Sequence, residues 1–159
     1  MSEAEERELR AVQAALAAEH AAVYGYGVVG GRIDEAGRAR ARTAFDAHRA
    51  RRDALVREVR ELGGRPVAAA AGYALPFPVA DAAAAVRLAA ELEDRVAGVY
   101  ADLVRASGGG RRAMAAEALR EAAVRAARWR GRSVAFPGLA ERAADSPSGA
   151  AAPSGTPTA

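Results

Sequence analysis

Apolar residues recur at alternating spacings of three and four along successive stretches of this chain, and the stripes they form are interrupted by ionisable side chains. The first stripe is Leu9, Val12, Leu16, Glu19, Val23 and Tyr26, a helical seam with a glutamate at a core position. The second is Ala41, Phe45, His48, Arg52, Leu55, Val59 and Leu62, with His48 and Arg52 on its centre line. Placed at 100° per residue, a third stretch gathers Val86, Leu88, Leu92, Val96, Val99, Tyr100, Leu103 and Val104 on one arc, and Glu93 is the charged residue inside it. A fourth stretch is blurred by alanines. There Glu121 falls between the directions of Met114 and Val124, with Glu117, Arg125 and Arg128 nearby.

Glycines and capping residues bound the four predicted helices. The first runs from about Glu3 to Val29 and is expected to stop at Gly30-Gly31. The second is capped by Asp34 and reaches about Leu62, before Gly63-Gly64; the third is capped by Asp81 and ends near residues 107–110. The fourth spans Arg111 to about Arg130. Short glycine-rich joints make antiparallel hairpins of helices one and two and of helices three and four. Residues 63–80 form a longer connection containing Tyr73-Ala-Leu-Pro-Phe-Pro78. Extended, it reaches roughly 55 Å at ~3.3 Å per residue, whereas a helix of the predicted length spans only ~36–40 Å. It can therefore cross the bundle, with Tyr73 and Phe77 expected to lie substantially buried against it. Two hairpins and one long crossover predict an all-α, ferritin-like four-helix bundle over residues 1–140, the alternative being a plain up-down bundle with a loose loop; an Ala/Pro/Ser/Gly-rich tail, residues 141–159, follows and is expected to be disordered.

Composition supports the all-α class and narrows the function. The chain has 159 residues, is 51% hydrophobic and only 5% aromatic, and alanine, which dominates it, is the strongest helix former. All the basic residues are arginine, which reads as genome composition. Absence of cysteine excludes disulfides, thiolate catalysis and Cys-ligated zinc. The acidic start shows no signal peptide, and the longest uncharged stretch, residues 66–80, is too short to span a bilayer, so a cytoplasmic protein without membrane contact is expected. A net charge of +3 invites nucleic acid as a partner. On helix two, however, the outer face runs Arg42, Asp46, Arg49, Asp53, Arg57 and Arg60, with acids interleaved among the arginines, which reads as a salt-bridged surface rather than a phosphate-binding patch.

The segments Glu19-His20-Ala-Ala-Val-Tyr-Gly-Tyr-Gly27, His48-Arg-Ala-Arg-Arg-Asp53, Tyr73-Ala-Leu-Pro-Phe-Pro78 and Ala89-Ala-Glu-Leu-Glu-Asp94 resemble an alanine-rich, ferritin-like domain family of unknown function from actinobacteria. The resemblance covers about Glu3 to Leu139. It implies a ferritin-like bundle and no established reaction.

A di-iron carboxylate centre needs a Glu on each of two helices and a Glu-x-x-His on each of the other two. Glu19 and Glu93 match the lone glutamates. Helix two reads Phe45-Asp-Ala-His48, with Phe in place of the bridging Glu, and helix four reads Glu121-Ala-Ala-Val124, with Val in place of the His. A buried charge is costly unless it is paired or metal-bound. Two readings follow. In the preferred one, Glu19 pairs with His48, and Glu93 with Arg52 or Arg125, in a buried polar network that needs no cofactor. In the other, Glu19, His48, Glu93 and Glu121 hold a single iron or zinc ion. His20 reads as a surface histidine against a neighbouring subunit or the crossover, the tyrosines as core-edge rings whose hydroxyls reach the polar cluster or solvent, and Trp129 as a packing residue. No nucleophile–base–orienter trio is present, which speaks against a hydrolase. The expected protein is a non-catalytic structural or interaction module, homodimeric through an alanine-rich face; the alternative is a metal-binding protein or oxidoreductase.

Overall fold

The computed structural model describes residues 1–137 and 139; the predicted tail, residues 141–159, lies outside the described residues. Four helices follow one another: α1 (Glu3–Arg32), α2 (Glu35–Glu61), α3 (Ala82–Ala106) and α4 (Gly109–Arg130). The ends have local chemical causes. Ser2 and Glu5 form a reciprocal capping box at the start of α1. Asp34 accepts from the Gly37 N–H and Asp81 from the Ala84 N–H, at 2.8 and 2.7 Å. Gly63 ends α2 with a φ of +75°, where a side chain would be strained. The predicted stop at Gly30-Gly31 is not used. Both glycines stay helical, and α1 runs on to Arg32 because Val29 and Ile33 are buried in the core; tertiary burial outweighs the weak local preference of glycine.

Two apolar clusters fill the interior. One joins Val12 and Leu16 of α1, Leu55 and Val59 of α2, Val96, Tyr100 and Leu103 of α3, and Ala115, Ala118 and Ala122 of α4. The other joins Tyr26, Val29 and Ile33, Ala41 and Ala44, Ala85, Leu88 and Leu92, and Trp129. Helices α1 and α4 therefore run from the first cluster to the second, while α2 and α3 run the opposite way. That parallel placement of α2 and α3 requires the long crossover of a ferritin-like bundle. Helix α1 packs on α2 and α3, and α3 on α4. Between α2 and α4 the bridges are long side chains: Arg51 to Glu121 at 2.9 Å, and the Arg40 guanidinium over the Trp129 ring at 4.1 Å. A third, between Arg111 and Glu58 at 2.7 Å, extends to Glu8 of α1 at 2.8 Å.

The crossover climbs α1 in register. Gly64 lies so close to Leu9 that an added Cβ would come within 2.7 Å of its side chain. Gln13 donates to the Arg65 carbonyl at 2.6 Å and accepts from the Val67 N–H at 2.9 Å, and His20 bonds the Val67 carbonyl at 3.1 Å. Tyr73 then meets the Tyr24 ring at 5.5 Å, and Leu75, Phe77 and Val79 pack against the second cluster. Tyr73, Leu75, Phe77 and Val79 are the alternate residues of the extended strap that face the bundle, and each is partly buried, while the residues between them are exposed. Among the described residues, no helix is long and apolar enough to cross a membrane.

Gln13 satisfies two of the strap's backbone groups, the Arg65 carbonyl and the Val67 N–H. Gln13→Leu is expected to cost about 1 kcal/mol and to speed elastase cleavage at Ala68–Ala71 under native conditions, while far-ultraviolet circular dichroism stays that of the wild type. Unchanged cleavage would mean that the strap is held by its apolar residues alone.

Candidate functional site

Between the two apolar clusters lies a polar layer to which every helix contributes. Its centre is Glu19 from α1, His48 from α2 and Glu93 from α3, with exposures of 1%, 0% and 0%. His48 Nδ1 lies 2.6 Å from Glu19 Oε2, and Nε2 lies 3.0 Å from Glu93 Oε1. A neutral imidazole carries one N–H; with a carboxylate oxygen at each nitrogen, the arrangement that satisfies both is the imidazolium. Burial pushes the His48 pKa down, but the hydrogen bonds and charges of Glu19 and Glu93 outweigh it and raise the group to about 9.

Three further side chains close the layer. The Tyr26 hydroxyl donates to Glu93 Oε1 at 2.6 Å, and its ring stacks on His48 at 5.3 Å. The Tyr100 hydroxyl donates to Glu19 Oε1 at 2.7 Å. From α4, Arg125 Nε donates to Glu93 Oε1 at 2.8 Å. Trp129 Nε1–H donates to the Tyr26 hydroxyl at 2.8 Å, completing the chain Trp129–Tyr26–Glu93–His48–Glu19–Tyr100. Burial tends to raise the Glu93 carboxyl, yet its bonds to His48 and Tyr26 and the charges of His48 and Arg125 hold it below the usual range. Tyr26 and Tyr100 are pushed up by burial and then by the carboxylates they touch, so both remain protonated donors. Two carboxylates thus face two cations. The distribution is uneven: Glu93 Oε1 accepts three bonds, whereas Oε2 is buried with no donor among the described residues.

Of the residues expected to gather, Glu19, His48 and Glu93 do. Glu121 does not join them; its side chain, 33% exposed, lies 2.9 Å from Arg51 and 3.8 Å from Arg125. Arg52 is corrected as well. It is half-buried and pairs with its neighbour Asp53 at 2.8 Å. One turn beyond His48, it sits about 40° off the seam's centre, and its long side chain carries the charge outward. Arg125 supplies the cation instead, the other partner the sequence offered for Glu93. Tyr26 and Tyr100 reach the cluster, while Tyr24 and Tyr73 pair with each other, and His20 binds the crossover.

A family profile described as "Domain of unknown function (DUF4439)" matches residues 11–141. Similar solved structures include the following two. One, a conserved hypothetical protein, rv2844, from Mycobacterium tuberculosis, is 36% identical; the match covers 79% of this chain and 96% of that one, with a TM-score of 0.77. The other is titled as ferritin like, diiron-carboxylate proteins from Bacillus anthracis str. Ames, at 14% identity, a TM-score of 0.59 and coverage of 82% of this chain and 93% of that one. At that identity the likeness is one of fold alone. No curated protein matches.

The donor set does not fit a two-metal centre. Phe45 packs against the second apolar cluster where a bridging glutamate would project, and Val124, 40% exposed, stands in place of a histidine. Both His48 nitrogens are committed to carboxylates, and a guanidinium occupies Glu93. Among the described residues, no three His, Asp or Glu side chains are grouped to hold an ion.

The pKa of His48 sets the pH dependence of stability. Because it rises from 6.5 to about 9 on folding, its contribution is complete below pH 6.5 and declines as pH rises to about 9; that difference corresponds to roughly 3 kcal/mol. Glu93, held low, contributes above pH 4.5 and loses that contribution as pH falls further. Urea unfolding across pH should therefore show a stability plateau near pH 4.5–6.5. The alkaline decline should be absent in His48→Leu. Parallel curves for the two proteins would show that His48 is not the cation.

Proposed function

We propose that this chain, which belongs to the DUF4439 family of domains of unknown function, is a non-catalytic ferritin-like module. In it a proton, held on His48, neutralises carboxylates that a di-metal protein of the same fold would give to its ions. The observation that supports this reading is the pair of hydrogen bonds from one buried imidazole to Glu19 and Glu93. With both ring nitrogens engaged and Arg125 on Glu93, His48 has no free lone pair to give to a metal or to act as a base. Structural service is what remains: the network fixes how the helices meet and leaves the outer faces for assembly. The alanine-rich helices suit close approach of a second copy, and we place the module in the cytoplasm as a homodimer. Sedimentation at micromolar concentration should give twice the chain mass of 16.4 kDa; a monomer there would remove the dimer.

The metal-binding reading keeps one observation in its favour, the donorless Oε2 of Glu93, an acceptor a cation could use. A mutant cycle separates the two. Glu19→Ala leaves an uncompensated buried cation and should destabilise by roughly 3–5 kcal/mol. The paired change Glu19→Leu with His48→Leu should recover much of that loss. Added Fe²⁺ or Zn²⁺ should leave the wild-type melting temperature unchanged. A metal-dependent rise that disappears in the paired variant would overturn the proton-bridged reading and establish the metal site.

A further inference from the structure

Where α3, α4 and the crossover converge, a cleft of about 400 Å³ opens, bounded by Phe77, Val86, Ala90 and Trp129 and by Arg87, Arg130 and Arg132, with Glu91 at its edge. Its size falls within the range of small-molecule sites. Two features separate it from an ordinary surface dent. The first is charge. Three guanidiniums border one small volume, yet only Arg130 has an acidic partner there, Asp94. Glu91 is engaged by Arg95 at 3.2 Å. Arg87 stacks over Phe77 at 5.4 Å, and Arg132 has no ion-pair partner among the described residues. Like charges gathered over an apolar floor repel one another and lack the counter-charge that would offset the repulsion.

The second feature is the floor. Trp129 is 5% exposed, and its N–H is turned inward to the Tyr26 hydroxyl at 2.8 Å. The indole therefore presents to the cleft a ring without a free donor. Phe77, Val86 and Ala90 add hydrocarbon alone. Anion recognition is confined to the arginine border, and the interior can reward only an apolar body. A bare inorganic anion would leave the floor empty, and an uncharged hydrocarbon would leave the guanidiniums uncompensated.

We propose that this cleft is a binding site for a small organic acid. Its apolar body rests on Trp129, Phe77, Val86 and Ala90, and its carboxylate is received by Arg87 and Arg132, with Arg130 retained by Asp94. The site lies outside the polar layer and does not depend on what the His48 network does. Trp129 is the point of contact between the two, since its ring borders the cleft and its N–H ends the buried hydrogen-bond chain.

Trp129 is the single tryptophan of the chain, so its emission reports on this cleft directly. The full chain is titrated with cyclohexanecarboxylate, which is transparent where tryptophan absorbs, and in parallel with cyclohexylmethanol and with inorganic phosphate. Cyclohexanecarboxylate should shift the emission saturably. The alcohol and phosphate should each require a roughly ten-fold higher concentration, the ratio expected from losing one good interaction. Arg132→Gln and Arg87→Gln should weaken the acid by a similar factor without altering the response to the alcohol. Ala90→Leu, which fills the cleft, should abolish the response while far-ultraviolet circular dichroism stays that of the wild type. Arg57→Gln, on the outer face of α2, is the control and should bind as the wild type does. The proposal is overturned by an absence of saturable change at millimolar acid, by equal affinity for acid and alcohol, or by phosphate binding as tightly as the acid. Arginine variants that bind unchanged would overturn it equally.

Discussion

The two hydrogen bonds that join His48 to the buried carboxylates of Glu19 and Glu93 tie together three of the four helices at one level of the core. Alanine supplies much of the core, as in Ala115, Ala118 and Ala122 of α4 and Ala85, Ala89 and Ala90 of α3. Such faces are smooth: they allow close approach but offer few large knobs to fix rotation or translation. The polar layer provides what they lack. Glu19, His48, Glu93 and Arg125 come one from each helix and are joined by bonds of 2.6, 3.0 and 2.8 Å. A rotation of any helix, or a slide of one residue, would strand a buried charge, so registers other than the native one carry a penalty of several kcal/mol. Buried polar groups are known to set register in helical assemblies, and here that role matches the weakness of the apolar packing.

The layer is also lopsided, and the asymmetry points toward α4. Glu93 Oε1 carries three donors, whereas Oε2 has none among the described residues. Arg125 links the interior to Glu121, which in turn meets Arg51 of α2. The α2–α4 seam is thus bridged by long, partly solvated side chains rather than by backbone-close alanines. Exposed and half-exposed ion pairs contribute little each, so opening of the bundle is expected to begin along this seam, with the α1–α3 packing lost later. Trp129, which carries the Arg40 guanidinium and donates to Tyr26, is the element of that seam most firmly tied to the core.

The architecture was legible because it rests on lengths and periodicities. A connection long enough to cross the bundle, two short joints and three clear seams specify the topology, and Asp34 and Asp81 cap as their positions suggest. Glu19, His48 and Glu93 were legible too, since a charge within an apolar stripe is conspicuous. What could not be read was which cation meets Glu93. A helical wheel places Arg52 and His48 on one stripe, but a flexible four-bond stem moves the guanidinium by several ångströms, and Arg52 uses that freedom to reach Asp53. Arg125 gave a weaker signal, because the alanines of α4 leave its inward face undefined. Gly30-Gly31 misled for a different reason: the burial of Ile33 on the far side of the pair decides that the helix continues. The cleft beside Trp129 had no local signal at all, since Phe77, Arg87 and Arg132 come from separate parts of the chain.

Inward-pointing carboxylates impose an electrostatic condition that can be met in more than one way. In a ferritin-like bundle built around two metals, the ions themselves neutralise the glutamates. Here two of the positions that would complete such a ligand set are Phe45 and Val124, side chains that coordinate nothing. Had the carboxylates remained without a counter-charge, the core would not tolerate them. On the proposed reading His48 and Arg125 supply two positive charges against Glu19 and Glu93, and the phenols of Tyr26 and Tyr100 supply the remaining donors. A guanidinium has one consequence that a metal ion does not. It is permanently charged and covalently fixed to α4, so the neutral core is present as soon as the helices dock and does not wait on an ion from solution. On that reading the fold is self-sufficient, and the two positive charges it needs are carried by its own helices α2 and α4.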